Sequence, residues 1–280
     1  MTNKHNKSKN SPPFPFFFPW LKHNMEAAVK EGNAKKLSEL MRQDPGFDVN
    51  KDLGRGSTLL HHACFEDSRS AVIPLLLAHP DIDVNVKDRG GFTAFMNACS
   101  KGSTFCVREM LKDSRVKVNE PDNNGHTPLW RAARHGHLDV IKWWIASGRE
   151  MDLGTPGDIY KTDAIGIAEM KRKTEVATLL ERFMENPVET RHAVRLELGL
   201  LEGLAADIFA LVVFVSDGLL KTKATSVKAG AKRTRFFNIA SQLPLELQMV
   251  LCFRQVGLDK EIIAGKDSEV AFKELARRLW

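Results

Sequence analysis

Cysteine is scarce in this chain, and its pattern excludes the chemistry that usually gives the residue a role. The four are Cys64, Cys99, Cys106 and Cys252, with no C-x-x-C pair and no Cys/His set at zinc spacing. Neither a disulfide framework nor a structural zinc site is expected, and scattered free thiols suit a reducing, intracellular compartment. Long apolar runs are missing too. The longest strongly apolar stretch, Ile208 to Val215, has eight residues, against the roughly 20 that a membrane-spanning helix needs. Phe14 to Trp20 is apolar but interrupted by Pro15 and Pro19, with no small-residue cleavage site after it, so a secretory signal is not expected. One-sided charge is confined to the start. Residues 1–24 carry Lys4, Lys7, Lys9 and Lys22 and no acid, while residues 25–185 are close to balanced and the whole chain is +6. A duplex binder is expected to carry a basic stripe on its structured part, so nucleic acid is not expected as a partner.

Catalytic patterns are absent as well. Gly54-Arg-Gly-Ser-Thr58 resembles a phosphate loop only loosely, because it lacks G-x-x-x-x-G-K-[ST]. His61-His62 and His135-Gly-His137 fall where a repeating framework gives histidine structural work, with His137 expected to cap or buttress a helix. The sequence therefore points to no catalytic residue, metal, cofactor or small-molecule substrate, and the chain is not expected to be an enzyme.

What the chain has in abundance is repetition. One landmark recurs at Gly32, Asp67, Gly102, Gly136 and Arg172, and a second at Asn50, Asn85, Asn119 and Asp152, both at intervals of 33 to 36 residues. The clearest copy runs D-N-N-G-H-T-P-L-W-R-A-A-R-H-G-H-L-D-V-I-K-W-W-I-A-S-G from Asp122 to Gly148. Earlier copies read G-S-T-L-L-H-H-A from Gly56 and G-F-T-A-F-M-N-A from Gly91. Within the clear copy, Thr127 is placed to cap a helix that starts at Pro128, where no N–H is needed. Leu129, Ala132 and Ala133 supply its inward face, and Gly136 ends it in the left-handed conformation that glycine tolerates. Val140, Ile141, Trp144 and Ile145 then recur at helical spacing as the buried face of a second helix. Cys64 and Cys99 occupy the slot of Ala133, which reads as packing by a small residue.

These motifs resemble the ankyrin repeat, whose period is about 33 residues, over somewhat more than half the chain. The resemblance implies an all-α solenoid of helix-turn-helix repeats with short β-turn fingers, about five copies over residues 25–185 with degenerate ends. It follows a disordered basic and aromatic tail at 1–24 and precedes a helical region at 186–280, which contains a basic linker at 221–235. The His of T-P-L-H-x-A is kept at His61 but is Met96, Trp130 and Gly166 afterwards, so a polar bridge between repeats is expected to give way to packing. Residues 186–280 are similar to the tails of uncharacterised fungal ankyrin-repeat proteins. Their all-apolar Ile208–Val215 run demands burial, and these helices are expected to cap the array.

The resemblance also implies function: a non-enzymatic module that binds a partner protein on a concave face. Carried over copy by copy, the finger positions are Arg55 and Ser57, then Arg89 and Phe92, then Asn123, Asn124 and His126. The helix-edge positions are Phe65 and Glu66, Ser100 and Lys101, and Arg134 and His135. None of these thirteen side chains is expected to serve the fold. An alternative comes from Leu243-Pro-x-Glu-Leu-x-x-Val-Leu251, which resembles the opening of an F-box and implies a substrate-recognition adaptor of a ubiquitin ligase. The basic stretch Lys221, Lys223, Lys228, Lys232, Arg233 and Arg235 reads as a solvated linker or a nuclear import patch, so either a cytoplasmic or a nuclear location is expected.

Overall fold

The computed structural model describes residues 18–154, 162–217, 236–257, 263 and 265–279. The basic stretch of 221–235 and most of the N-terminal tail lie outside them. The chain divides into two units, Met1–Arg191 and His192–Trp280.

The first unit is built from helix pairs. They are α1 (Phe18–Lys30) with α2 (Ala34–Gln43), α3 (Leu59–Ala63) with α4 (Ile73–Leu77), and α5 (Ala94–Lys101) with α6 (Thr104–Lys112). α7 (Pro128–His135) pairs with α8 (Leu138–Ser147), and α9 (Ala164–Met170) with α10 (Thr174–Glu185). The first helices stack on one another as one layer, and the second helices as another. Among the described residues there is no strand. α1 starts earlier than the disordered tail expected over 1–24 allows. Its Pro19 falls in the first turn, where a helix has no use for the missing N–H. Pro74 is tolerated for the same reason: a 3-10 turn over Asp67–Val72 delivers the chain to α4, and the proline lies at that helix's start.

Local chemistry sets each helix boundary. The Thr93 and Thr127 side chains accept from the amides of Met96 and Trp130 at 3.2 Å, and Asp163 does the same for Gly166 at 2.9 Å. Gly102 closes α5 at φ 75°, and any Cβ there would meet the His137 ring at 2.5 Å. That ring reaches the preceding copy, with Nε2 3.1 Å from the Ser100 carbonyl, so His137 buttresses the stack as expected. Arg172 takes the glycine slot of the last copy at φ 56°.

The asparagine landmark is an inter-repeat staple. Asn50 donates to the Asp81 carbonyl (2.7 Å) and accepts from the Asp83 amide (2.8 Å). Asn85 repeats both bonds with Arg115 (2.9 Å) and Lys117 (2.8 Å), and Asn119 accepts from Asp152 (3.1 Å). A side-chain amide has a donor and an acceptor on one group, which is what the next loop's backbone requires.

The core follows the expected pattern. Leu129, Ala132, Ala133, Val140, Ile141, Trp144 and Ile145 are fully buried, and Trp144 meets Phe95 edge-on at 5.1 Å. All four cysteines are free and buried. The bridge at the histidine slot departs from expectation. His61 Nδ1 accepts from the Thr58 amide (3.2 Å), which leaves Nε2–H to donate to the Phe92 carbonyl of the next copy (3.0 Å). At Met96 packing does replace this bond. At Trp130 it does not: the indole Nε1–H donates to the Thr162 carbonyl at 3.0 Å, in the equivalent place.

The division between the units falls within α11 (Pro187–Glu197). The second unit contains α12 (Leu201–Ser216), a helical segment at 236–240, α13 (Leu245–Gln255) and α14 (Gly265–Leu279). α12 packs against α13 and α14. Ala205, Ala206, Phe209, Ala210 and Val212 bury themselves there with Ala240, Cys252, Phe253, Ile263 and Ala271. Of the Ile208–Val215 run, Phe209, Ala210, Val212 and Phe214 are buried while Ile208, Leu211, Val213 and Val215 are half-buried, so the full burial expected of it is not reached among the described residues. Among the described residues no single helix is long and apolar enough to cross a membrane.

Candidate partner-binding face

The fingers are built by aspartates. Asp88 Oδ1 accepts from the amides of Gly90 (2.8 Å) and Phe92 (2.9 Å), and Asp122 Oδ1 from those of Asn124 (2.8 Å) and His126 (3.0 Å). Asp52 does the same for Gly54 and Gly56 in the first finger, from a position one residue earlier. Fingers are tied to each other by backbone bonds, Arg89 N–H to the Arg55 carbonyl (2.9 Å) and Asn123 N–H to the Gly90 carbonyl (3.1 Å).

On this frame the thirteen expected residues separate into groups. Arg55, Phe65, Glu66, Arg89, Lys101, Asn123, Asn124 and His135 are exposed, and Ser57, Phe92, Ser100 and Arg134 are half-buried. His126 is not a surface residue. It is 8% exposed, stacks on Trp130 with ring centroids 3.8 Å apart, and lies 3.2 Å from Arg131 through Nδ1. The Asn123 side chain also serves the fold, donating to the Arg89 carbonyl at 2.9 Å. Phe92 lies under the Arg131 guanidinium, 4.8 Å from its ring centroid. The expectation that none of these side chains works for the fold is therefore corrected at His126, Asn123 and Phe92. Each neighbours a finger whose stacking consumes its polar or aromatic surface.

The exposed remainder has a definite geometry between the first and second fingers. Ser57, Phe65, His61, His62, Arg69, Asp88 and Asn97 line a cleft of about 350 Å³. Phe65 is 41% exposed and carries Lys101 Nζ 4.2 Å above its ring, a placement that attracts a cation to the aromatic face. Arg69 pairs with Glu66 at 3.1 Å and donates to the His62 carbonyl at 3.2 Å. His62, Asp88, Asn97 and Arg69 were not among the expected residues. His62 lies on α3 three residues before Phe65, which follows the end of that helix in a turn.

Burial lowers the pKa of His61 and His62. His135 is lowered by burial first and then by its neighbours His137, Arg134, Arg131 and Lys101, all of them cations or potential cations. Burial pushes the thiols of Cys64 and Cys99 far up, and those of Cys106 and Cys252 to about 12. The thiolate, the reactive form, is thereby suppressed. Among the described residues no group of three or more His, Cys, Asp or Glu is arranged to hold a metal ion.

Paired helices in two layers, joined through stacked fingers, define an ankyrin-repeat solenoid. Residues 69–155 match the family of ankyrin repeats in three copies, and the pairs α1/α2 and α9/α10 continue the pattern outside that match. The chain is 33% identical over 135 residues to the SMC5-SMC6 complex localization factor protein 1 of Bos taurus, covering 47% of this chain and 13% of that protein. It is 29% identical over 101 residues to Rabankyrin-5 of Mus musculus, covering 36% and 9%. A putative ankyrin repeat protein of Rickettsia bellii is 34% identical over 92 residues, covering 33% and 50%. The chain thus spans a small part of the two mammalian relatives. All three are animal or bacterial proteins, so the likeness of residues 186–280 to fungal proteins draws nothing from them.

Proposed function

We propose that this chain is a non-enzymatic protein-interaction module that holds a partner protein on the face formed by the fingers and the edges of the first helices. The observation that carries the reading is the cleft at Phe65. There a large apolar side chain stays 41% exposed and is overlain by Lys101, while the finger residues around it are held by backbone bonds. Rigid framework with an exposed aromatic anchor is how interface hot spots are built. Ankyrin repeats are interaction modules, and one relative is named as a localization factor for a protein complex, which supports a macromolecular partner. Four free, buried thiols support a location inside the cell, cytoplasmic or nuclear. The adaptor reading of Leu243–Leu251 gains nothing from the family match or the relatives.

The test compares two variants of the full chain by affinity purification. Phe65→Ala with Arg89→Ala changes exposed positions, where substitutions move stability by about 0.5 kcal/mol or less, so the melting temperature holds and partner capture is lost. Phe105→Ala, 56% exposed on α6 of the other layer, leaves capture intact. Capture that survives the first variant and fails in the second refutes the choice of face.

A further inference from the structure

The near-balance of charge in the array conceals a segregation. Just before the glycine landmark of successive copies stand Glu31, Glu66, Lys101, His135 and Lys171, so the acids fall in the first two copies, where Glu31 pairs with Lys36. The fingers facing the early copies add Arg55 and Arg89, both exposed. The acids of this face are engaged internally. Glu66 pairs with Arg69, Asp88 takes the amides of its own finger, and Asp122 is bound to Arg131. Among the described residues no carboxylate lies within 4.0 Å of the cationic groups of Arg55, Arg89 or Lys101, and the nearest partner of Lys101 is the Phe65 ring. His135 stacks on His137 at 5.8 Å near Arg134, Arg131 and Lys101, and burial and these neighbours lower its pKa, so it adds little charge to the face at neutral pH.

We propose that the segment held by this face is acidic, and that Arg89 and Lys101 meet its carboxylates while Phe65 takes an apolar side chain beside them. The proposal rests on the interaction reading above and adds the chemistry of what is bound. Charge complementarity is the warrant: the face offers cations without internal partners next to an apolar anchor, and like charges brought onto it are repelled. A basic segment fits poorly beside Glu66, which is already paired with Arg69, while Asp88, the acid that lines the cleft, spends Oδ1 on two amides of its own finger.

The test uses fluorescence anisotropy with the full chain. The probes are a labelled peptide alternating Glu with Leu and Ser, the same peptide with Lys or Gln in place of Glu, and a single-stranded oligonucleotide of equal charge. The Glu peptide binds, and the Lys and Gln peptides bind at least tenfold more weakly. Arg89→Glu with Lys101→Glu weakens the Glu peptide about tenfold, whereas Lys112→Glu on the other layer does not. Affinity also falls as ionic strength rises from about 0.1 M to about 1 M, over which the screening length shrinks from about 10 Å to about 3 Å. Equal binding of the Gln peptide, lost in Phe65→Ala, overturns the acidic partner but leaves the binding face standing. Equal loss in Lys112→Glu, tighter binding of the oligonucleotide, or no binding of the Glu peptide overturns the proposal.

Discussion

Replacing Asp122 with asparagine isolates a single buried charge in the third finger. Its side chain has no exposed surface, and that of its partner Arg131 is 11% exposed. Oδ1 holds the amides of Asn124 and His126, while Oδ2 accepts from Arg131 Nε at 3.1 Å and also meets Nη2. Asparagine can keep an acceptor for the two amides, but it loses the charge and puts an NH2 donor where Oδ2 accepts from Arg131. Arg131 is then left without its anion, which costs about 3 kcal/mol, the low end of the range for a broken buried pair because the guanidinium keeps a path to water. Asp122→Ala also strands the two amides, about 1 kcal/mol each, for a total of about 5 kcal/mol. At roughly 2–4 °C per kcal/mol for a unit of this size, the asparagine variant melts about 6–12 °C lower. Adding Arg131→Met to Asp122→Asn restores part of the loss, since no charge is then left unpaired.

The pH dependence has a definite sign. Burial pushes the Asp122 carboxyl up, but hydrogen bonds from Arg131 and the His126 amide, with the Arg131 charge, outweigh it and hold the group below the usual carboxylate value. A folded value below the unfolded one, near 3.9, gives stability that is full above that pH and lost as pH falls through the folded value. The gap between the native chain and Asp122→Asn therefore closes in acid. Thermal melts by circular dichroism at neutral and acid pH measure this, and hydrogen exchange at the Asn124 and His126 amides assigns the effect to the finger. An asparagine variant within about 0.5 kcal/mol of the native chain at neutral pH, or strictly additive behaviour with Arg131→Met, refutes the reasoning.

Trp130→Phe removes the bond to the Thr162 carbonyl and some packing volume, at a cost of about 2 kcal/mol in urea denaturation; a cost under about 0.5 kcal/mol means the indole bridge is incidental. The thiols should be silent in the native protein. With Cys106 and Cys252 pushed to about 12 and Cys64 and Cys99 also raised well above the usual thiol value by burial, a thiol reagent at mildly alkaline pH labels none of them until denaturant is added. Rapid native labelling of any one contradicts the burial described for it.

The repeat was legible because each of its signals has a duty inside one copy or one junction. Thr127 caps, Gly136 turns, Asn85 staples, and each duty needs a residue type that few others can supply, so the letters recur at a fixed interval. The histidine slot shows the limit of reading letters. His61 and Trp130 share no side-chain chemistry by class, yet both place one ring N–H against the next copy's carbonyl. The signal was a donor at a position, not a residue name. The second unit has no copies to compare. There the sequence yielded only a demand that Ile208–Val215 be buried, and among the described residues its own unit buries one side of that run and covers the other in part.

The candidate site was legible as a set of slots but not as a set of free side chains. Periodicity says which positions lie on the finger and helix edge, and it is silent on what the neighbouring copy does to them. His126 lost its surface to Trp130 of its own copy and Phe92 to Arg131 of the next, contacts that a list of equivalent positions does not encode. Charge behaves in the same way. Summed along residues 25–185 it nearly cancels, which argued against any polyanionic partner. Taken one equivalent position at a time, it separates into Glu31 and Glu66 on the first two copies, paired with Lys36 and Arg69, and Lys101, His135 and Lys171 on the next three. A partner meets columns of side chains, not totals. The electrostatic argument for a solenoid therefore has to be made on the column after internal pairs are removed, and made that way it favours an acidic protein segment.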